Sequence, residues 1–205
     1  MNTKKRIIEE ALILFSEKGY SDVYVNDIAK AVGIKAPSLY KHYKNKQEIF
    51  NAILEELKEG YVKHTATMGI AGNDVNIDAG IYADISEEAL VEMGKNLFLY
   101  FLHDNQMRLF RKLLTIEQFR DSELAAIYSK QYFDAPLDYQ SELFKIFIAN
   151  GKFKQADAKI LAMQFYAPIY TLLTICDRHP EREQEALKLL EAHIHQFNIN
   201  YAEEK

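Results

Sequence analysis

The sequence predicts an all-α protein, and three observations support that prediction. Apolar residues recur along most of the chain at the three- and four-residue spacing that one face of a helix requires. The 205 residues include only 8 Gly, 4 Pro and no Trp, which argues against a turn-rich β fold. Hydrophobic residues form 48% of the chain, enough for a core. We expect a three-helix N-terminal domain over residues 1–61 and a larger helical domain over residues 62–205.

The first helix is predicted to start with Thr3 as its cap and to end before Gly19. Its apolar stripe consists of Ile7, Ala11, Leu14 and Phe15. Lys18 places a cation in the last turn, and Gly19 can adopt the left-handed conformation that ends many helices. Tyr20 and Val23 are expected to pack back on this helix.

Residues 24–43 carry a helix-turn-helix signature. A short helix from about Asn26 to Ala31 is followed by Gly33, which is placed for the tight turn. Pro37 lies in the first turn of the next helix, where its missing N–H would be unpaired in any case. Residues 24–46 hold five lysines and one acid, in a chain whose net charge is −5.

These residues resemble the DNA-binding module of the TetR family of bacterial repressors. The resemblance rests on Ala11, Phe15, Gly19, Tyr20, Ile28, Ala29, Val32, Gly33, Ile34, Leu39, Tyr40, Tyr43 and residues 46–50. Tyr24 stands where the family usually has a capping Thr, and Lys35 where it often has Ser. A missing hydroxyl cap costs about 1 kcal/mol where nothing replaces it. Beyond the first quarter of the chain, only length and helical pattern agree with the family.

The resemblance implies double-stranded DNA as a partner. The expected DNA-binding residues are Lys35, Ala36, Pro37, Ser38, Tyr40, Lys41, His42 and Lys46. The helix that starts near Pro37 would enter the major groove while the preceding helix crosses the backbone. Ser38 and Lys41 are expected to contact base edges, and Ala36 with Pro37 a thymine methyl group.

Phosphate contacts are expected from three further side chains, Tyr40, His42 and Lys46. Lys46 begins the following helix, so its ammonium and the helix N-terminus would favour the same phosphate oxygen. Tyr43 is expected in the core, and core packing is also the alternative for Tyr40.

The charge is distributed unevenly along the chain. Residues 1–50 carry nine Lys and Arg against six Asp and Glu, a net charge of +3, so that residues 51–205 carry −8. A basic first quarter on an acidic remainder fits nucleic acid binding at one end of the molecule. An ordinary uneven surface would explain the charges equally well without the helix-turn-helix pattern.

The rest of the chain is predicted to be helical as well. Asn45 and Glu48 form a capping box for the fourth helix. Residues 69–80 contain three Gly, two Asn and two Asp and predict a loop, whose spacing does not match a calcium loop. Further helices are expected over residues 86–103, from 104, over 121–149, over 156–176 and from 180. Pro136 and Pro168 predict a kink or break.

The last helix carries a heptad seam. Its members are Leu187, Leu190, Ile194, Phe197 and Tyr201, separated by three and four residues in turn. Because a helix-turn-helix protein needs a second copy to bind a two-fold site tightly, the seam predicts a homodimer formed by the last two helices of each subunit. The alternative is that the seam packs only within its own subunit.

The second domain is dense in aromatic residues, and the family resemblance implies a small-molecule effector there. The expected ligand-binding residues are Tyr100, Tyr128, Met163, Tyr166 and Tyr170, because tyrosine hydroxyls in an apolar body suit a pocket with few polar groups. Cys176 is expected to be a small buried hydrophobe, with redox sensing as the alternative.

The resulting hypothesis is a ligand-responsive transcriptional repressor that binds a pseudo-palindromic operator and is released by a small molecule. Catalytic residues, metal ligands and cofactors are not expected, since the chain lacks the corresponding motifs. With no signal segment and no stretch approaching the ~20 apolar residues of a membrane span, we expect a cytoplasmic protein without membrane contact. The alternative is a DNA-binding protein without a small-molecule ligand, whose body recruits a protein partner.

Overall fold

The structure, a computed structural model, describes residues 2–72 and 74–203. The described residues are 80% helical with no strand among them, which confirms the all-α prediction. In chain order the helices are α1 (Thr3–Lys18), α2 (Val25–Val32), α3 (Ala36–Leu39), α4 (Lys46–Thr67), α5 (Val75–Asp84), α6 (Glu87–His103), α7 (Asn105–Glu117), α8 (Ser122–Ser129), α9 (Ala135–Ala149), α10 (Ala158–Arg178) and α11 (Glu183–Tyr201). A π-helix, Lys130–Asp134, joins α8 to α9, and a 3-10 helix, Pro180–Arg182, precedes α11.

The first of two compact units contains the chain up to Tyr61 together with Asp104–Tyr128. Its core includes the rings of Phe15, Tyr20, Phe50 and Phe110, with neighbouring centroids 5.0 to 6.5 Å apart. Helix α7 belongs here because it buries Phe110, Leu113 and Leu114 and packs on α1. A DNA-binding domain over residues 1–61 and a ligand-binding and dimerisation domain over residues 62–205 stay predictions, because a compact unit shows which residues pack together and not what they do.

Helix α1 begins one residue earlier than a Thr3 cap requires. Asn2 is the N-cap, and its side-chain oxygen accepts a hydrogen bond from the Lys4 amide at 3.0 Å. At the other end Gly19 has φ +91° and donates its amide to the Phe15 carbonyl oxygen. The ring of Tyr20 packs 5.0 Å from that of Phe15, as predicted.

The second unit contains Val62–His103 and the chain from Ser129 onward. One part of its core lies among α6, α10 and α11 around Cys176, and the other among α5, α9 and α10 around Phe144. The predicted loop over residues 69–80 is shorter than expected, and Asn73 in it lies outside the described residues. The carboxylate of Asp74 caps α5 by accepting hydrogen bonds from the amides of Asn76 and Ile77, so the helix starts at Val75.

The two internal prolines behave differently. The backbone stays helical from Ser122 to Ala149, and Pro136 occupies the first turn of α9 directly after the π-helix, where a missing N–H is tolerated, so the kink or break expected there stays a prediction. Helix α10 runs through Pro168 without interruption.

Helix α10 is long and apolar enough to cross a membrane, judged by length and composition alone, which corrects the expectation that no stretch approaches such a span. The core helix of a soluble protein passes the same test, so this is weak evidence for a membrane. Only 28% of its apolar window is buried, which leaves much of the helix surface uncovered by its own subunit.

Two glycines in neighbouring segments should respond oppositely to substitution. Gly72 has φ +70°, and a Cβ there would lie 2.7 Å from the Thr65 side chain, so we expect Gly72→Ala to destabilise the fold by about 2 kcal/mol. Gly80 lies exposed inside α5 with open space around it, so Gly80→Ala should stabilise by about 0.5–1 kcal/mol. Urea unfolding measures both values. Equal effects of the two substitutions would contradict this account of the turn.

Candidate nucleic-acid interface

Helices α2 and α3 are held in place by apolar side chains on one face. Ile28, Ala29, Val32, Leu39 and Tyr43 are all buried in the first unit. Between the helices, Gly33 takes the left-handed conformation with φ +76° and donates its amide to the carbonyl oxygens of Ala29 and Lys30. The core position predicted for Tyr43 is confirmed. Because Leu39 points into the core, its neighbours in α3 point away from it.

The predicted DNA-binding residues form one outward-facing segment. Lys35, Pro37, Ser38, Tyr40, Lys41 and His42 are exposed, while Ala36 is half-buried. Helix α3 itself is a single turn, and the Tyr43 amide donates to the Leu39 carbonyl oxygen in the turn that follows it. The core alternative for Tyr40 does not apply, because half of its surface is exposed. The structure therefore brings seven of the eight predicted residues into one stretch of surface.

The start of α2 keeps one half of a capping box although Tyr24 has no hydroxyl that caps it. The carboxylate of Asp27 accepts a hydrogen bond from the backbone amide of Tyr24 at 2.9 Å, which is the returning half of a capping box. No side-chain cap is present at Lys35, where α3 starts. Both helices therefore start without a side-chain acceptor at the N-cap, and the amides of Asp27 and Ser38 donate instead to the carbonyl oxygens of Tyr24 at 2.9 Å and Lys35 at 2.8 Å.

The eighth predicted residue, Lys46, is half-buried at the start of α4. Its ammonium donates hydrogen bonds to the carbonyl oxygens of Tyr20 at 2.6 Å and Val23 at 2.9 Å. It also lies 4.3 Å from the centroid of the Tyr20 ring. Burial lowers the pKa of Lys46, and the nearby Asp22 carboxylate acts in the opposite direction. Two of the three ammonium hydrogens are therefore used within the protein, and one is left for another acceptor.

Sequence analysis assigned no role to the basic first turn of α1. The guanidinium of Arg6 donates to the carbonyl oxygen of Val32 at 2.6 Å, which satisfies a backbone acceptor at the end of α2. Lys5 pairs with Glu56 at 3.6 Å, and the Lys4 ammonium lies 5.5 Å from the ring centroid of Tyr43. The sequence does contain a signal for these contacts. Three cations occupy the first turn of α1 without an acid, where the helix dipole disfavours positive charge, so partners elsewhere were to be expected.

The heptad seam of α11 faces inward, which corrects the predicted dimerisation residues. Leu190, Ile194 and Phe197 are buried in the core of their own subunit, and Leu187 and Tyr201 pack against the same core. Helices α6, α9 and α10 cover the three buried members of the seam, while Leu187 and Tyr201 remain half-buried. A heptad repeat indicates that a helix packs against another helix, but the pattern is the same whether that helix belongs to the same chain or to a second one.

Two of the predicted ligand-binding residues, Tyr166 and Tyr170, lie side by side, and the role predicted for all five stays a prediction. Tyr166 and Tyr170 stack with centroids 6.2 Å apart, whereas Tyr100 stacks on His64 at 4.1 Å. Met163 is exposed. Tyr128 falls in the first unit and the other four in the second.

Two surface depressions in the second unit lie away from these residues. One, of about 750 Å³, is lined by α6 from Glu87 to Glu92 and by α11 from Lys188 to His195. The other, of about 710 Å³, lies between the end of α9 and the start of α10. None of the five predicted ligand-binding residues lines either depression.

Cys176 is buried in the core among α6, α10 and α11. Burial, and next the negative charges of Glu183 and Asp177, raise the pKa of its thiol. A raised pKa disfavours the reactive thiolate, which is consistent with a packing role. Among residues 2–72 and 74–203, no group of three or more His, Cys, Asp or Glu side chains could hold a metal ion.

Comparison with known proteins agrees with this geometry. Residues 7–53 match the profile of the family described as bacterial regulatory proteins, tetR family. The biofilm operon icaADBC negative transcriptional regulator IcaR of Staphylococcus epidermidis is 52% identical over 52 residues, 25% of this chain and 28% of that protein. IcaR of Staphylococcus aureus is 25% identical over 183 residues, covering 84% and 97% of the two chains. The probable transcriptional regulator YttP of Bacillus subtilis is 23% identical over 205 residues, covering 100% and 90%.

Solved structures share the whole fold at low sequence identity. A TetR-family transcriptional regulator from Mesorhizobium loti superposes with a TM-score of 0.68 at 17% identity, covering 98% of this chain and 97% of that one. SmeT of Stenotrophomonas maltophilia in complex with triclosan gives 0.67 at 20% identity, covering 98% and 92%. The flavonoid-responsive regulator FrrA gives 0.63 at 19% identity, covering 99% and 98%.

An outward-facing helix-turn-helix unit joined to a helical body defines a DNA-binding transcriptional regulator. Residues 7–53 of the chain form a DNA-binding domain of the TetR family, and the proteins that resemble the chain over most of its length are transcriptional regulators. Regulators of this family bind DNA and act as dimers, and they are not enzymes.

Proposed function

We propose that this chain is a ligand-responsive transcriptional repressor that binds a pseudo-palindromic operator as a homodimer in the cytoplasm. The observation that carries the proposal is the exposed segment from Lys35 to His42, held outward by the buried Leu39. Repression is favoured because the IcaR relatives are named negative transcriptional regulators. In a dimer the two copies of this segment would enter successive major grooves, roughly 34–36 Å apart.

The proposed contacts fall into two classes. Ser38, in α3, and Lys41, just after it, are exposed and read base edges, and Ala36 with Pro37 offers apolar contact to a thymine methyl group. Phosphates are contacted by Tyr40 and His42, and by the remaining hydrogen of the Lys46 ammonium. Lys35 lies at the uncapped start of α3, where its charge also favours a phosphate.

Substitutions should separate the two classes of contact. Lys46→Ala should weaken binding to all duplexes and reduce the slope of log affinity against log salt by about 1, because one phosphate contact is lost. Ser38→Ala and Lys41→Ala should instead change the preferred base at one position of the site. Fluorescence anisotropy on a selected duplex and on its single-base variants, at several salt concentrations, measures both effects.

The matched control is Lys44→Ala, because the Lys44 side chain is 87% exposed and makes only a 3.9 Å ion pair with Glu48. We expect it to change neither affinity nor preference. If Lys46→Ala and Lys41→Ala behaved alike, the division into positioning and reading residues would be wrong.

The dimer interface is assigned to the outward face of α10 and α11 in place of the buried seam. Ile160 and Met163 on α10 are 52% and 55% exposed, and Ile199 on α11 is 58% exposed. The Tyr201 hydroxyl donates to Gln164 at 2.6 Å, so the end of α11 lies beside the turns that carry Ile160 and Met163. An apolar helix with a largely uncovered face is what a second copy of the same chain would bury.

Charges on this face should separate the subunits. We expect Met163→Glu combined with Ile199→Glu to give monomers at micromolar concentration, because two carboxylates would be buried in each half of the interface. The control is Ile77→Glu, which changes a residue of equal exposure, 57%, on α5 of the same unit and should leave the dimer intact. Sedimentation equilibrium measures both. A dimeric double variant would place the interface elsewhere.

A small-molecule site is proposed beside the π-helix. Tyr132 and Phe133, in the π-helix, lie 5.8 and 5.4 Å from the ring of Tyr170, which also stacks with Tyr166. π-helices are frequent at functional sites because the extra residue alters which side chains face a neighbour. SmeT has been solved with triclosan and FrrA is named flavonoid-responsive, and both compounds are aromatic. The proposed effector is therefore an apolar aromatic molecule.

Triclosan and a flavonoid are suitable probes of this site. We expect calorimetric binding of at least one of them, and a lower affinity for the selected duplex in its presence, because the ligand favours the conformer that binds DNA less well. Tyr170→Ala should remove the ligand effect, whereas Phe119→Ala, which changes a 90% exposed ring in the first unit, should keep it. A probe that binds without altering DNA affinity would contradict the coupling.

One observation favours the alternative, a DNA-binding protein whose body recruits another protein. Phe119 is 90% exposed and Ile116, in the last turn of α7, is 40% exposed. Exposed apolar residues that are close in sequence are typical of protein interaction sites. Under this alternative, Phe119→Ala would abolish regulation without changing DNA affinity, and small aromatic probes would have no effect.

A further inference from the structure

Asp78 is a fully buried carboxylate that the proposed contacts with DNA and effector do not use. It lies on α5 in the second unit with no exposed surface. Its Oδ1 accepts a hydrogen bond from the Ala71 amide at 2.7 Å, and its Oδ2 accepts from the Gly72 amide at 2.9 Å and from the Tyr139 hydroxyl at 2.7 Å. A buried carboxylate is stable only with such donors, so the three hydrogen bonds keep Asp78 buried and Asp78 in turn fixes the positions of its three donors.

The two amides belong to the turn that ends α4, and that turn is held from its other side as well. The hydroxyl of Thr65, buried in the last turns of α4, shares its hydrogen between the carbonyl oxygens of Val62 in the same helix at 3.1 Å and Ala71 in the turn at 3.2 Å. The amide of Ile70 donates to the Thr65 carbonyl oxygen at 3.2 Å. Gly72 lies so close to the Thr65 side chain that a Cβ would be 2.7 Å from it. The turn is thus clamped between Thr65 and Asp78.

The third donor comes from a different helix. Tyr139 lies on α9, one turn after Pro136 and the π-helix, and packs against the core shared by α5 and α10. Its hydroxyl donates the hydrogen bond that connects α9 to the Asp78 carboxylate, whereas the other two donors belong to the turn. If α9 moved away from α5 by about 1 Å or more, this hydrogen bond would be lost and a buried oxygen would lose a partner.

We infer that Asp78, Thr65 and Tyr139 form a latch that reports the position of α9 to the end of α4. Helix α4 is continuous from Lys46, at the start of the candidate DNA-binding surface, to Thr67 beside the latch. Two aromatic residues of the proposed effector site, Tyr132 and Phe133, lie in the π-helix that leads into α9. An effector that displaces α9 opens the latch, and the closed latch is the DNA-binding arrangement. This inference rests on the proposed function as a repressor.

The test compares Tyr139→Phe with Tyr201→Phe. The first removes the hydroxyl that bonds to Asp78 and keeps the ring, and the second removes a tyrosine hydroxyl bond of similar length, to Gln164, in the same unit. Amide hydrogen exchange at Ala71 and Gly72, followed by mass spectrometry or NMR, measures opening of the turn. Affinity for a duplex selected by the wild-type protein from a random pool measures the functional effect.

We expect Tyr139→Phe to exchange at Ala71 and Gly72 about tenfold faster or more, and to bind the selected duplex about threefold or more weakly, because a bond to a charged group is lost. Tyr201→Phe should change neither. Unchanged exchange overturns the latch, and faster exchange with a smaller change in duplex affinity overturns its link to DNA binding.

A second pair of variants keeps the test informative if Tyr139→Phe does not fold. Thr65→Ser keeps the hydroxyl and should behave like the wild type, whereas Thr65→Val removes it and should reproduce the open latch. Equal behaviour of the two overturns the role of the hydroxyl. If the wild-type protein selects no duplex, the proposed function fails, and hydrogen exchange still decides whether the turn is held by Tyr139.

Discussion

The direction in which α3 faces is decided by the burial of Leu39 and Tyr43. Once these two side chains enter the core with Ile28 and Val32, the segment between them must present its polar and basic side chains to solvent. Every proposed contact with DNA depends on this packing. The hydrophobic effect has no preferred direction. Helix α3 is only one turn long, however, and because Leu39 within it and Tyr43 four residues later are both buried, the helix has little freedom to rotate.

Charged side chains in this protein often serve backbone groups at the joints between helices. Asp27 accepts from the amide that precedes α2, and Arg6 donates to a carbonyl at the end of the same helix. Asp78 accepts from the amides of the turn after α4. Helix ends leave such groups unpaired, and a charged partner gives a stronger bond than a neutral one. The connections between elements are therefore as well defined as the elements.

The parts that sequence analysis predicted correctly are those with local signals. Gly33, Pro37 and the spacing of Ile28, Ala29 and Val32 were enough to place the helix-turn-helix, because each acts within one or two turns. The inward orientation of Leu190 and Ile194 was expected only as the alternative, since periodicity shows that a face is buried but not which chain covers it. The packing of α7 on α1 was missed for a related reason: the two helices are about a hundred residues apart in sequence, and nothing local links them. Asp74, in a stretch that resembled a loop, acted as a cap.

The position of the Lys46 ammonium has a consequence for the thermodynamics of association. A lysine side chain normally has many rotamers, and fixing them on contact with an anion opposes binding by up to ~2 kcal/mol of conformational entropy. Here the carbonyl oxygens of Tyr20 and Val23 have already selected one conformation during folding. An anion that binds this preorganised ammonium therefore loses less side-chain entropy than one that binds an unrestrained lysine, and its affinity should be correspondingly higher.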